Sequence, residues 1–212
     1  MVCEAIESVW SQTVVPKEVI LVDDGSKEQH AHNKAISIIL PNNLGVAKAR
    51  QIGVRMSSGK LLLFLDADDI LSPDFVQQCG KLITKKDIVY PNLLAFGEVE
   101  SPHLFEVPKA TPKYLMGNSS TICVTSMMYR SMYDDLGGFA ELPIFEDWDF
   151  WLRAMSKGYT FGKANTFLMY RQSANSRNRQ NANLKQEIHR KITSPYIIKE
   201  GALCLKNLTE KE

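Results

Sequence analysis

The feature that most constrains this fold is a short apolar run that ends in acidic residues, and the sequence contains it twice. Glu18–Asp23 stops at Asp24-Gly25-Ser26, where a helix is expected to begin, and Lys60–Leu65 stops at Asp66-Ala67-Asp68-Asp69. Short apolar runs bounded by turn residues predict buried strands. Helical patterns follow over Val46–Met56, Phe75–Ile83 and Glu146–Met155. This alternation predicts an α/β fold with a mostly parallel sheet and helices on both faces.

The middle and the end of the chain are less regular. Asp87–Tyr90 predicts a fourth strand, whereas four prolines at 91, 102, 108 and 112 predict irregular segments and short strands over residues 92–118. An extended segment is expected at Thr166–Arg171. The tail from Gln180 is amphipathic enough for one or two helices.

Composition excludes several classes of protein. Of the 212 residues, 44% are hydrophobic and 23% are charged, which favours one folded domain over disorder. The net charge of +1 gives no indication of nucleic-acid binding. The longest apolar run, Leu61–Leu65, is far shorter than the ~20 residues of a membrane-spanning helix. Four widely spaced cysteines lack metal-ligand spacing, which indicates free thiols in a reducing, cytoplasmic setting.

Acidic residues follow two predicted strands, at Asp23-Asp24 and at Asp66–Asp69. Because the carboxyl ends of parallel strands meet at one rim of a sheet, these carboxylates are expected to lie close together. A divalent cation such as Mg²⁺ or Mn²⁺ would relieve their repulsion, and it prefers carboxylate and phosphate oxygens. Since Asp also ends strands for purely structural reasons, each motif alone leaves both explanations open.

A third acidic cluster begins the predicted helix at Glu146. In a helix, Asp147 and Trp151 lie one turn apart on one face, as do Glu146 and Phe150. A carboxylate beside such aromatic rings is partly desolvated, which raises its pKa and suits a general base. The alternative is an amphipathic helix whose acidic first turn complements the helix dipole.

Together these segments resemble the inverting family 2 glycosyltransferases of the GT-A fold. The resemblance spans residues 4–176 and rests on six segments in order: Ser8–Thr13, Val22–Ser26, Asn43–Arg50, Phe64–Asp69, Gly137–Phe139 and Glu146–Asp149. It implies a GT-A domain over 1–176, with a nucleotide half at 1–91 and an acceptor half at 92–176. Residues 177–212 are expected to form a helical tail.

The resemblance implies that the nucleotide half binds the donor. Asp23 and Asp24 would hold the base and ribose of the nucleotide, and Gly45 and Arg50 would line the same pocket. UDP is the commonest nucleotide of the family's donors, so a UDP-sugar is expected. The implied acceptor is a glycan or a lipid-linked glycan, in the assembly of polysaccharides from the cytoplasmic side. The resemblance also allows peripheral membrane association and a homodimer.

The resemblance also implies the chemical roles of the remaining residues. Asp66 and Asp68 would form the DxD element, in which Asp66 contacts the ribose or sugar and Asp68 holds Mn²⁺ or Mg²⁺ against the diphosphate. Asp147, beside Glu146, would act as the general base. Arg171 would bind phosphate.

Three departures from the family pattern stand out. No counterpart of the family's opening strand, which lies centrally in its sheet, precedes Met1, so the fold is expected to be N-terminally truncated. Gln51 follows Arg50 where Asn is usual. Near Tyr170-Arg171 the family often has a His followed three residues later by a Ser, and here Ser173 and Ser176 stand at those two positions.

Two alternatives follow. The departures allow a catalytically impaired remnant that binds nucleotide weakly or associates with a partner. The segment Leu62–Leu71 also resembles haloacid-dehalogenase-like phosphohydrolases, in which Asp66 would be a covalent nucleophile. That alternative leaves Asp23–Ser26 unexplained.

Overall fold

The computed structural model describes residues 1–117, 122–174 and 180–196. Its helices are α1 (Val2–Trp10), α2 (Val46–Met56), α3 (Phe75–Ile83), α4 (Pro112–Leu115), α5 (Arg130–Asp135), α6 (Glu146–Ser156) and α7 (Lys185–Thr193). Its strands are β1 (Ile20–Asp23), β2 (Ile36–Ile39), β3 (Leu61–Leu63), β4 (Ile70–Leu71), β5 (Ile88–Gly97), β6 (His103–Phe105), β7 (Met127–Tyr129) and β8 (Phe161–Gln172). Short 3₁₀ turns lie at Ala182–Leu184 and Ser194–Tyr196.

The larger sheet has the strand order β3-β7-β5-β8-β4, with β6 paired to β5. The predicted α/β class is therefore confirmed, but this sheet is mixed rather than mostly parallel. Only β5 and β8 pair in parallel within it, and its other described pairs are antiparallel. For β5 and β6 the physical reason is their short connection, because a parallel pair would need a much longer crossover.

Strand β5 is longer than the sequence pattern predicts. It continues through Pro91, where the pairing with β8 shifts register between Tyr90 and Asn92. Proline lacks the N–H that the ladder needs, and an irregularity of this kind absorbs the missing hydrogen bond so that the strand can go on. The prediction of irregular structure directly after Pro91 was therefore wrong.

Strands β1 and β2 form a separate parallel pair. The Glu18 carboxylate accepts hydrogen bonds from the backbone N–H groups of Ser58 (2.7 Å) and Gly59 (2.9 Å), so β1 and β3 begin side by side. Within the described residues, β1 pairs only with β2, and β3 only with β7. A cleft of about 920 Å³ with a largely apolar lining, including Val22 and Leu62, lies between the two strands. No described strand lies in this central position.

Most of the main hydrophobic core lies in the C-terminal half of the described chain, and α6 lies at its centre. Trp148, Phe150 and Trp151 of this helix are fully buried. Both indole N–H groups are satisfied, because Trp148 donates to the Leu115 carbonyl (2.6 Å) and Trp151 to the Ile122 carbonyl (3.0 Å). These contacts fix the position of the acidic first turn of α6.

Candidate active site

The first acidic pair organises two loops through backbone hydrogen bonds. Asp23 is buried and accepts from the N–H groups of Ser26 (2.8 Å) and His30 (2.6 Å), and hydrogen bonds from these residues lower the pKa of Asp23. These bonds hold the segment after β1 in a loop, so the expected helix at Ser26 does not form.

Asp24 holds the loop that precedes α2. Its two carboxylate oxygens accept from the N–H groups of Leu44 (2.7 Å) and Gly45 (2.9 Å). Gly45 has φ 90°, which favours glycine, and α2 begins directly after it. Asp24 thus ties the end of β1 to the start of α2. The predicted contact of Asp23 and Asp24 with a nucleotide stays a prediction.

Arg50 of α2 lines the cleft together with Asp24 and Gly45, and its guanidinium also reaches the acidic residues that follow β3 and begin α6. Its buried guanidinium donates to Asp66 (2.7 Å) and to Glu146 (2.6 Å), and it lies over the ring of Phe139 at 5.5 Å. Burial alone would lower the pKa of Arg50, but the two carboxylates raise it above its ordinary value. The guanidinium therefore stays charged and joins β3 to α6.

The carboxylates of the acidic loop after β3, at Asp66, Asp68 and Asp69, disfavour one another's ionisation. Partial desolvation and the charge of Asp66 raise the pKa of Asp68. Asp69 is buried, accepts from the N–H of Arg171 (2.8 Å), and has a pKa raised to about 8, mainly by burial. The crowding of three carboxylates favours a bound cation at this loop.

Arg171 braces this loop from β8. Its Nε donates to the Asp68 carbonyl (2.8 Å), another guanidinium nitrogen pairs with Glu4 (3.1 Å), and the group lies 4.4 Å from the Phe96 ring centroid. This position is next to the acidic loop, where a phosphate ligand is predicted. Ser176 lies outside the described residues.

Asp147 lies in the first turn of α6, directly after buried Glu146. Glu146 shares the Arg50 guanidinium with Asp66, so the first turn of α6 is joined to the acidic loop. Burial raises the pKa of Tyr170, and the charges of the loop carboxylates and of Asp147 raise it further. Burial also raises the pKa of the Cys123 thiol, and the charges of Asp69 and Asp147 add to this effect. Acidic residues from two distant parts of the sequence are therefore connected through one arginine.

The carboxylates of the acidic loop fit a divalent ion that is shared with a ligand. Within the described residues, no group of three or more His, Cys, Asp or Glu side chains is placed to hold a metal by itself. Mg²⁺ and Mn²⁺ are commonly held by one or two carboxylates together with substrate phosphates. Asp68 suits this role, whereas one oxygen of Asp66 is already bonded to Arg50.

Comparison with known proteins identifies the family. The model of glycosyl transferase family 2 matches residues 1–136, which is more than half of the chain. The chain belongs to glycosyl transferase family 2. The matched segment includes both strand-end acidic motifs and Arg50, so the resemblance found in the sequence is confirmed.

Curated relatives of this glycosyltransferase family agree. The chain is 30% identical over 167 residues to the uncharacterized glycosyltransferase YwdF of Bacillus subtilis, a match that covers 72% of this chain and 62% of that protein. An uncharacterized glycosyltransferase of Haemophilus influenzae is 29% identical over 181 residues, covering 78% and 61%. The chain thus spans less than two thirds of the length of these relatives.

The similarity to solved structures confirms the GT-A fold. S. aureus TarS in complex with UDP-GlcNAc aligns with a TM-score of 0.65 and 20% identity, covering 83% of this chain and 56% of that one. TarS in complex with UDP aligns with a TM-score of 0.68 and 18% identity, covering 92% and 60%. No helix in the described part of this family 2 chain is both long and apolar enough to cross a membrane.

Proposed function

We propose that this chain carries a glycosyltransferase domain that moves a sugar from a nucleotide-diphosphate sugar to a hydroxyl group of a glycan or lipid-linked acceptor, with inversion. The observation that supports this best is the contact of Arg50 both with Asp66 of the acidic loop and with Glu146, the residue directly before Asp147. Donor binding and deprotonation of the acceptor require acidic groups at one place, and these groups come from different parts of the chain.

The donor is expected to lie across the ends of β1 and β3. The loops held by Asp23 and Asp24 would receive the base and ribose. A UDP-sugar is the first candidate, because TarS is solved with UDP-GlcNAc and with UDP. Asp68, with Asp66 beside it, would hold Mn²⁺ or Mg²⁺. When bound, the ion would neutralise charge that develops on the leaving diphosphate.

Asp147 is proposed as the general base. It would take the proton of the acceptor hydroxyl while the oxygen bonds to the anomeric carbon and the bond from that carbon to the diphosphate oxygen breaks. The electron pair of that bond leaves with the nucleotide diphosphate. Because attack and departure occur on opposite faces, the configuration inverts. Alignment of the two reactants is the main contribution of the protein.

The alternative of an impaired remnant is favoured by one observation, the open cleft between β1 and β3. Within the described residues, β1 and β3 each leave one edge unpaired beside this cleft, and a nucleotide pocket bordered by such edges is poorly supported, which would weaken donor affinity. The phosphohydrolase alternative loses its basis, because the family 2 match includes the Leu62–Leu71 segment.

Calorimetric titration tests the proposed donor site. UDP, dTDP, GDP and ADP are titrated into the chain with Mn²⁺ and again with EDTA. We expect UDP to bind with Mn²⁺, and binding to fall by about tenfold or more in EDTA and in Asp68→Ala. Asp135→Ala, which removes an exposed carboxylate paired with Lys157, is the matched control and should bind normally. Absence of binding for every nucleotide would favour the remnant.

The base assignment has its own test. Asp147→Asn should lower the rate of UDP release from UDP-GlcNAc by about 10²-fold or more with little change in UDP affinity. Asp149→Asn changes a carboxylate of the same helical turn that is paired with Arg153, so it should keep the wild-type rate. Equal rates for wild type and Asp147→Asn would contradict the assignment.

A further inference from the structure

Arg50 is the described side chain that joins the donor side of the site to the base side. It lies in the second turn of α2, and its two terminal nitrogens bond to different partners. Nη2 donates to Asp66, which follows β3, and Nη1 donates to Glu146, which begins α6 and precedes Asp147. Asp66 and Glu146 are 80 positions apart in the sequence, so no local structure relates them.

The environment of this contact makes it rigid. The Arg50 side chain is 8% exposed, Glu146 is 1% exposed and Asp66 is 42% exposed, so water competes little for the bond to Glu146 and more for the bond to Asp66. The guanidinium also lies over Phe139, whose ring packs against Phe64 and Phe150. A planar guanidinium with a fixed fork geometry can hold two carboxylates at a set separation, whereas a lysine ammonium cannot.

We propose that Arg50 is a positioning residue for glycosyl transfer, because it fixes Asp66 on the donor side and the first turn of α6 on the base side in one frame. This inference rests on the proposed function. In this role Arg50 does not touch the reacting atoms. It sets the distance between the metal-binding loop and Asp147, and with it the alignment of the acceptor oxygen with the anomeric carbon.

Arg50 also lies in the lining of the cleft between β1 and β3, so its positioning role must be distinguished from direct contact with the nucleotide. A pocket-lining arginine would act on nucleotide affinity, so its loss would raise the KM for the donor. A residue that sets alignment acts on the chemical step, and a misplacement of about 1 Å can lower a rate by ~10²-fold. The ratio of the kcat effect to the KM effect therefore distinguishes the two roles.

Kinetics with UDP-GlcNAc and Mn²⁺ is the first test. Arg50→Gln should lower kcat for UDP release by ~10²-fold with a KM within about threefold of wild type. Arg50→Lys keeps the charge and should recover part of the rate, because an ammonium can hold only one of the carboxylates well. An unchanged kcat, or a loss that appears only in KM, would overturn the proposal.

Hydrogen exchange of the free protein gives a readout that needs no turnover. Arg50→Gln should speed amide exchange by about tenfold in both the 66–69 loop and the first turn of α6, although the substitution lies in α2. Acceleration in neither segment, or in only one of them, would overturn the proposal.

Arg130→Lys is the matched control. Arg130 donates to the Val54 and Gly59 carbonyls and to the Ser57 hydroxyl, so the change removes a comparable set of bonds away from the carboxylates. It should lower thermal stability and leave kcat and exchange at 146–149 unchanged. If wild type neither binds UDP nor consumes UDP-GlcNAc, the proposed donor is wrong, and exchange in Arg50→Gln still decides whether Arg50 couples the two segments.

Discussion

The two halves of the molecule are stabilised by different kinds of interaction. In the C-terminal half, aromatic side chains around α6 are buried against the larger sheet. In the N-terminal half, the region around β1 has one parallel strand pair beside an apolar cleft of about 920 Å³, and its loops are held by carboxylates that bind backbone N–H groups. The comparison teaches that hydrogen bonds between carboxylates and backbone N–H groups can fix the geometry of loops beside a cleft.

The largest expected effect compares how strongly core packing stabilises each of the two halves. Trp148→Ala should lower the free energy of unfolding by about 3–5 kcal/mol, because it removes a fully buried ring and the indole hydrogen bond to Leu115. Ile20→Ala in β1 should cost only about 1–2 kcal/mol, since this side chain is half-buried beside the cleft. Urea denaturation measures both. Equal losses would mean that β1 belongs to the same packed core as α6.

A smaller effect tests the hydrogen bonds that hold the loop after β1. Asp23→Ala should lower the free energy of unfolding by about 1–3 kcal/mol, because the N–H groups of Ser26 and His30 lose their acceptor. Limited proteolysis should then cut within residues 24–35 faster than in wild type. The exposed Asp135→Ala serves as the control. If cleavage in this loop does not change, the Asp23 hydrogen bonds do not organise it.

The smallest effect is a pH dependence at the boundary between the halves. Burial raises the pKa of Asp69 to about 8, whereas an unfolded Asp titrates near 3.8. The folded state therefore holds one more proton between these values, so its stability from this group is complete below pH 3.8 and is lost as the pH rises towards 8. Asp69→Asn keeps the site neutral and should not show this loss.

Thermal denaturation in EDTA at several pH values checks this expectation. Between pH 5 and 8 the Tm of wild type should fall by roughly 5 °C relative to Asp69→Asn. Asp135→Asn is the control, because its carboxyl has a lowered pKa from its bonds to Tyr159 and Lys157 and does not titrate in this range. Parallel curves for wild type and Asp69→Asn would show that Asp69 is ionised in the folded chain.

Local patterns predicted much of the fold. The helices at Val46–Met56 and Phe75–Ile83 begin and end where the sequence pattern places them, and α6 extends one residue beyond the predicted Met155. The prediction failed at Ser26, because the Asp23 carboxylate captures backbone N–H groups that a helix would use. The expected tail is described only in part, by α7, and residues 197–212 lie outside the described residues.

The sequence by itself determined the family and the acidic motifs. The motifs, like strand, turn and helix signals, each lie within a few neighbouring residues. The tertiary structure decided the mixed strand order, the cleft beside β1, the burial of Asp69, and the contact of Arg50 with both Asp66 and Glu146. These features depend on contacts between segments that are far apart in the sequence, such as Asp66 and Glu146, which are 80 positions apart. A local pattern does not encode which segments meet, because that is set by which surfaces of the folded chain bury each other.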